Sequence, residues 1–256
     1  MLIGDLYRTL GGKHRVNRRD KRPLTEEAKT AIRLWRSFLI VSEIKASRGV
    51  TRGRSIESFR YRQVTWVVEF DGSLSGIGCR IFKLDSFDKE SVIKAVGASV
   101  PFDLGKRSEY QNSVEMLALV VGILVAVTLG AGSSCIKIRG DSITVLEWAK
   151  RGTFRASNRS TSICMALVVI LEKFNITING ESQHLSSKAN HVCDDLSRGR
   201  EPAINSCGEG VVWCKKEGMV SRLVELCNPL SGPQDETAFI MKWEALRNVI
   251  KADDML

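Results

Sequence analysis

The sequence predicts an α/β fold, a mixed sheet covered by helices. Three observations point to it. Segments 64–70, 76–84 and 91–100 are rich in β-forming residues and divided by turn residues, the pattern of an antiparallel meander. After them, helix-period segments alternate with short β-rich ones as far as residue 199. Strands reached through helical crossovers join a sheet in parallel.

The elements follow in order. Residues 64–70 form a strand closed by Asp71, and Gly72-Ser73 turns the chain into the returning strand 76–84. A third strand is expected at 91–100. Ser108 and Gln111 read as a capping box for a long helix over 109–129, stopped by Gly130. A short strand over 134–139 ends in Gly140-Asp141-Ser142, and a short helix then runs to Lys150. Helix 158–174 and strand 176–182 come next. Ser187 is positioned to cap a last helix, in which Ala189, Val192, Cys193 and Leu196 share one apolar stripe and Gly199 is the stop. Upstream, Thr25 caps a helix carrying Ala28, Ile32, Trp35, Phe38 and Leu39, followed by a basic linker over 45–62. Downstream, helices are expected at 219–226 and 238–252. The chain thus divides into a basic arm, helix and linker (1–62), an α/β domain (63–200) and a helical extension of unassigned role (201–256).

At 43% hydrophobic, the chain can build a core and is not a disordered polymer. The net charge of +9 is unevenly placed. Residues 1–62 hold 16 Lys/Arg against 6 Asp/Glu, and the remainder holds 22 against 23. The basic arm suits a polyanionic partner. Seven Cys, at 79, 135, 164, 193, 207, 214 and 227, include no C-x-x-C and sit mostly in apolar runs. That favours reduced thiols in an intracellular compartment, cytoplasm or nucleus, over a disulfide framework or a zinc site. Residues 1–10 are too short and polar for a secretory signal. Residues 116–129 are nearly all apolar, yet their small residues and the preceding Glu115 favour a buried core helix over a membrane span.

Four acids stand out. Asp71 closes one apolar strand and Asp141 another. Glu115 lies in the most apolar helix, and Asp194 lies on the last helix. Each alone has an ordinary explanation: a turn, a cap, a first-turn acid, a solvent-facing side chain. Together, carboxylates that cannot all reach water imply a shared cation. Oxygen-only ligands favour Mg²⁺ or Mn²⁺.

The contexts of these acids resemble the ribonuclease H family. Phe70-Asp71-Gly72-Ser73 resembles its first strand motif. Asn112-Ser113-Val114-Glu115-Met116-Leu117-Ala118 resembles its Asn-x-x-Glu-Leu-x-Ala helix, and Arg139-Gly140-Asp141-Ser142 its Asp-Ser element. Asn190-His191-Val192-Cys193-Asp194-Asp195-Leu196-Ser197-Arg198 resembles its closing helix and selects Asp194 over Asp195. His184 stands where the family carries a mobile active-site histidine. The resemblance covers about residues 64–199. The short span from Asp141 to Asp194, the Leu-Ser-Arg ending and the helix around Trp35 resemble the retroelement and retroviral, reverse transcriptase-associated type. No polymerase Tyr-x-Asp-Asp is present.

The resemblance implies a ribonuclease H-like fold: a five-stranded mixed sheet, three strands in an antiparallel meander and two parallel, flanked by helices. It implies an endoribonuclease that cuts the RNA strand of RNA–DNA hybrids, leaving 5′-phosphate and 3′-hydroxyl ends. Two Mg²⁺ ions, replaceable by Mn²⁺, would lie about 4 Å apart among Asp71, Glu115, Asp141 and Asp194, with Asp71 bridging. His184 would assist proton movement or product release. Gly72, Ser73, Asn112, Ser142 and Asn190 would contact substrate, and the 2′-hydroxyl would mark the strand to be cut. Arg15, Arg18, Arg19, Lys21, Arg22, Arg52 and Arg54 would add salt-dependent phosphate affinity. A polymerase domain or subunit is an expected partner. The alternative is a ribonuclease H-like binding module with weak or no activity.

Overall fold

The computed structural model describes residues 63–102, 110–151, 161–208, 210–214, 218–228 and 236–250, with Lys29 and Ile32. Those two are helical. The rest of the expected upstream helix, the basic linker with its arginines, and Ser108 lie outside the described residues.

Strands β1 (Val64–Ser73), β2 (Gly76–Leu84) and β3 (Glu90–Ser99) form the expected antiparallel meander. Helix α1 (Gln111–Ala126) runs on through a π-helical turn to Ala131, where Gly130 takes φ 101° and ends it. β4 (Cys135–Gly140) then adds parallel to β1. Helices α2 (Ile143–Arg151) and α3 (Thr161–Lys173) lead to β5 (Thr177–Ile178) and β6 (Gln183–His184), both parallel to β4. Helix α4 (His191–Ser197) follows, then β7 (Val211–Trp213), α5 (Met219–Leu226) and α6 (Glu236–Val249). The sheet order is β5-β4-β1-β2-β3-β7, with β6 also on β4. The mixed α/β fold expected from the sequence is therefore present, but the sheet has seven strands where five were expected.

Both extra strands have local causes. The expected strand 176–182 is interrupted because Asn179 Oδ1 accepts the Glu181 N–H at 2.6 Å, a side-chain turn that breaks the ladder. The chain rejoins β4 at Gln183. β7 comes from the extension after residue 200 and pairs with β3. Its Val-Val-Trp run is too short for an alternation signal.

The two faces of the sheet are covered differently. Val68, Phe70, Cys79 and Ile81 join α1, α3 and residues of α5 and α6 in one core. Met219, Leu223, Trp243 and Leu246 are buried in that core, so the extension shares it with β1, β2, α1 and α3. α1 with its π turn is apolar enough to cross a membrane by length and composition, and its most apolar stretch is 83% buried within this fold. The opposite face, which includes Asp71 and Gly78, lies under α4. There Val192 and Leu196 pack with Ala95 and Cys207.

Candidate active site

β1 and β4 run parallel with Glu69 in register with Arg139. Asp71 and Asp141 each lie two residues further on. Both acids therefore leave the same end of the sheet from neighbouring strands. Asp71 is buried and Asp141 half-buried.

Glu115 reaches this end from α1 because β1 and α1 approach closely at Gly72. A Cβ on Gly72 would stand 2.6 Å from the Glu115 backbone nitrogen, so only glycine fits. Gln111 closes the junction. Its Nε2 donates to the Gly72 carbonyl and, at 3.1 Å, to Glu115 Oε1. The expected capping box is thereby corrected. Tyr110 is the N-cap and makes no side-chain capping bond, and Gln111 is spent on the site.

α4 brings Asp194. Its docking rests on three bonds to β1. Asn190 Nδ2 donates to the Phe70 carbonyl at 3.1 Å, Ser73 Oγ donates to the Ser197 carbonyl at 2.6 Å, and Ser197 Oγ donates to Asp71 Oδ2 at 2.7 Å. Asn190 and Ser73 were expected to touch substrate. Both are buried and engaged in these tethers, so they hold α4 on the sheet. Asn190 is also the N-cap of α4 in place of Ser187. Its side chain is drawn inward to Phe70, and the helix starts after it.

Burial raises the Asp71 carboxyl to about 7, against the Ser197 hydrogen bond and with repulsion from Asp141, Asp194 and Glu115 added. Burial likewise raises Glu115, tempered by the nearby Ser142 hydroxyl and Gln111, with Asp141 adding repulsion. Glu115 Oε2 is buried with no partner in hydrogen-bond geometry. Asp194 is half-buried and paired: Arg198 Nε lies 2.8 Å from Oδ1, and Arg200 3.8 Å from Oδ2.

His184 sits at the end of β6, exposed, with Nε2 3.1 Å from the Asp141 carbonyl oxygen. Ser142 is buried, and its Oγ accepts the Val145 N–H at 3.4 Å to cap α2. Asn112 is half-buried on the first turn of α1. Beneath Asp71, Glu69 is buried between Arg80, at 2.5 Å, and Arg139, at 3.5 Å.

The site therefore gathers all four expected acids and His184. The donor set is all oxygen, and the unpartnered Glu115 oxygen points to a missing positive charge. Among the described residues, however, no three His, Cys, Asp or Glu side chains stand close enough to hold one ion as they are placed. The set fits a hard divalent cation in kind. Neither Gln111, read as a capping residue, nor Ser197, part of the closing-helix motif, was named as a site residue from the sequence. Their signal is spacing: Gln111 lies four residues before Glu115, and Ser197 three after Asp194, each on the same helix face as its acid.

No family model matches the chain, and no curated protein matches it. Solved structures do. The N-terminal RNase H domain of Rv2228c from Mycobacterium tuberculosis is 20% identical, with a TM-score of 0.41, over 54% of this chain and 98% of that one. RNase H1 from the halophilic archaeon Halobacterium salinarum NRC-1 is 18% identical, with a TM-score of 0.36, over 51% and 92%. The protease–reverse transcriptase of prototype foamy virus is 18% identical, with a TM-score of 0.36, over 55% of this chain and 21% of that one. All three are remote in sequence.

Proposed function

We propose that this chain is an endoribonuclease that hydrolyses the RNA strand of RNA–DNA hybrids, with Asp71, Glu115, Asp141 and Asp194 as its catalytic acids. The observation that carries this is the state of Asp71. Its carboxyl is buried at the end of β1, with Glu115 on α1, Asp141 after β4 and Asp194 on α4 near enough to repel its charge. A fold tolerates such repulsion where a cation relieves it.

Two Mg²⁺ ions, or Mn²⁺, held by these four residues would neutralise phosphate charge and lower the pKa of an attacking water. The chain's own groups do the rest. Ser197 fixes the direction of Asp71, and Gln111 fixes Glu115. With Nε2–H given to the Asp141 carbonyl, His184 presents Nδ1 to solvent as a proton acceptor beside the acids. Its exposure lets it swing as product leaves. Asn112 and the backbone near Gly72 would contact the substrate. The basic arm, 16 Lys/Arg against 6 Asp/Glu, supplies phosphate affinity without sequence choice. The short sequence span from Asp141 to Asp194 supports a retroelement-type domain with a polymerase as partner.

One observation favours a second reading, a hybrid-binding module of weak activity: Asp194 is held by Arg198 and Arg200. The test is cleavage of a hybrid labelled on either strand, in Mg²⁺, beside Asp141→Asn. The expected result is cutting of the RNA strand only, lost in the variant. Binding without cutting in Mg²⁺ and Mn²⁺ supports the module and overturns the enzyme.

A further inference from the structure

A pocket of about 310 Å³ opens beside the site, between the end of α4 and β7. Its position follows from strand register. Asp71 pairs with Gly78, Gly78 with Gly97, and Gly97 with Trp213. These four residues form one row across β1, β2, β3 and β7, and paired residues share a face. Gly78 lies under α4, where a Cβ would stand 2.7 Å from Leu196 Cβ, and Gly97, past the edge of that helix, carries the Trp213 ring. Trp213 lies over Gly97 so closely that a Cβ there would stand 2.3 Å from ring atom Cζ3. The indole is nonetheless 38% exposed, an uncommon state for so large an apolar ring.

The remaining walls are mixed: the hydroxyls of Ser75 and Ser99 and Arg198, whose Nε also pairs with Asp194, stand beside Ala98, Leu196 and Cys214. Ser75 Oγ lies 3.0 Å from Ser73 Oγ. Ser197, which holds Asp71, lines the pocket as well. The pocket is therefore joined to the acids through both serines. Its volume is at the small end of the range for ligand sites.

We propose that this pocket takes one unpaired nucleotide of a strand leaving the hybrid, its base stacked on Trp213 and its phosphate against Arg198. A flat ring seated on Gly97, with hydroxyls and one cation around it, suits a nucleobase of any sequence. Bases inside a duplex are stacked and cannot enter. Trp213 stands three strands from Asp71, roughly 14 Å. That is about four base steps along a duplex strand, so the occupant lies just beyond a short paired stretch. The inference rests on the hybrid reading for the course of the strand. It gives the substrate a preferred form, a hybrid with a single-stranded extension.

Binding is measured in EDTA, where no cleavage occurs, by anisotropy of a labelled blunt hybrid and of the same hybrid with a short extension on either strand. The wild type is expected to bind one extended form about tenfold more tightly than the blunt one. Trp213→Ala removes that preference and leaves blunt binding unchanged, while Trp213→Phe keeps most of it. Gly97→Ala, which pushes the ring aside, should act like Trp213→Ala. Circular dichroism melts show that each variant is folded. A wild type without preference, or a Trp213→Ala protein that retains it, overturns the pocket. Preference without cleavage in Mg²⁺ leaves the pocket standing and removes the nuclease reading. Cleavage without preference does the reverse.

Discussion

Asp71 bears the largest electrostatic cost in the site, and the cost depends on pH. Its folded pKa is about 7 against an ordinary 3.8, so between those values the folded state holds a proton that the unfolded state has lost. The sign follows: stability from this group is full below the unfolded value and is lost as pH rises through about 7. In metal-free buffer, Asp71→Asn should therefore melt higher than the wild type near pH ~8, by at most a few kcal/mol. The gap should close toward pH ~4, where both side chains are neutral. An equal gap at both ends would show that burial and repulsion do not act on Asp71. Ser197→Ala makes the complementary test. The Ser197 hydrogen bond lowers the Asp71 value, so in metal-free buffer its loss should destabilise the fold more near pH ~8 than near pH ~4. An equal loss at both would leave Ser197 a purely structural tether.

At the scale of elements, the site is a junction where β1, α1, β4 and α4 meet, and the junction depends on small groups. Gly72→Ala would drive a methyl into the backbone of α1. The helix must shift and carry Glu115 with it, with a stability loss of about 1–3 kcal/mol and a loss of activity. Gly132→Ala, where a Cβ meets nothing within 4 Å, serves as the control and should leave both unchanged. Thermal melts and cleavage rates of the pair check this. If both variants behave alike, close approach at Gly72 is not what places Glu115.

The elements also show what a sequence can carry. The meander, the apolar helix and the acid-bearing strand ends were legible because periodicity and turn residues are local. The break at Asn179 was not, since it needs a side-chain turn to outweigh a run of β-formers. Gln111 was misassigned as a capping residue because the same spacing serves a cap or a reach to Glu115 and Gly72. Asn190 and Ser73 are polar residues in a family motif, and only the packed structure shows them turned inward. Trp213 gave no signal, because its place depends on pairing with Gly97 more than a hundred residues away.

At the scale of the whole molecule, the extension after Arg200 is part of the fold that carries the site. β7 extends the sheet, and Leu223, Trp243 and Leu246 complete the core behind α1 and α3. A chain ending at residue 200 would leave that apolar surface in water, at about 1.5–3 kcal/mol for each large side chain exposed. It should melt far lower than the full chain or fail to stay soluble. A truncated chain with an unchanged melt would make the extension an appendage. The uneven charge gives a separate expectation. Removing residues 1–62, which hold 16 of the chain's 38 Lys/Arg, should weaken hybrid binding and flatten its salt dependence. The catalytic rate at saturating hybrid should change little, because the acids lie elsewhere.

The central claim is that four carboxylates from separate elements form one hydrolytic centre for RNA in a hybrid. It is tested most directly by the initial cleavage rate of the full chain, in Mg²⁺, on an RNA–DNA hybrid and on the all-DNA duplex of the same sequence, beside Asp71→Asn. The account predicts RNA-strand products with 5′-phosphate ends from the hybrid, no products from the DNA duplex, and a fall of about a hundredfold or more in the variant. Cleavage of both duplexes alike, or an Asp71→Asn protein as active as the wild type, would contradict it.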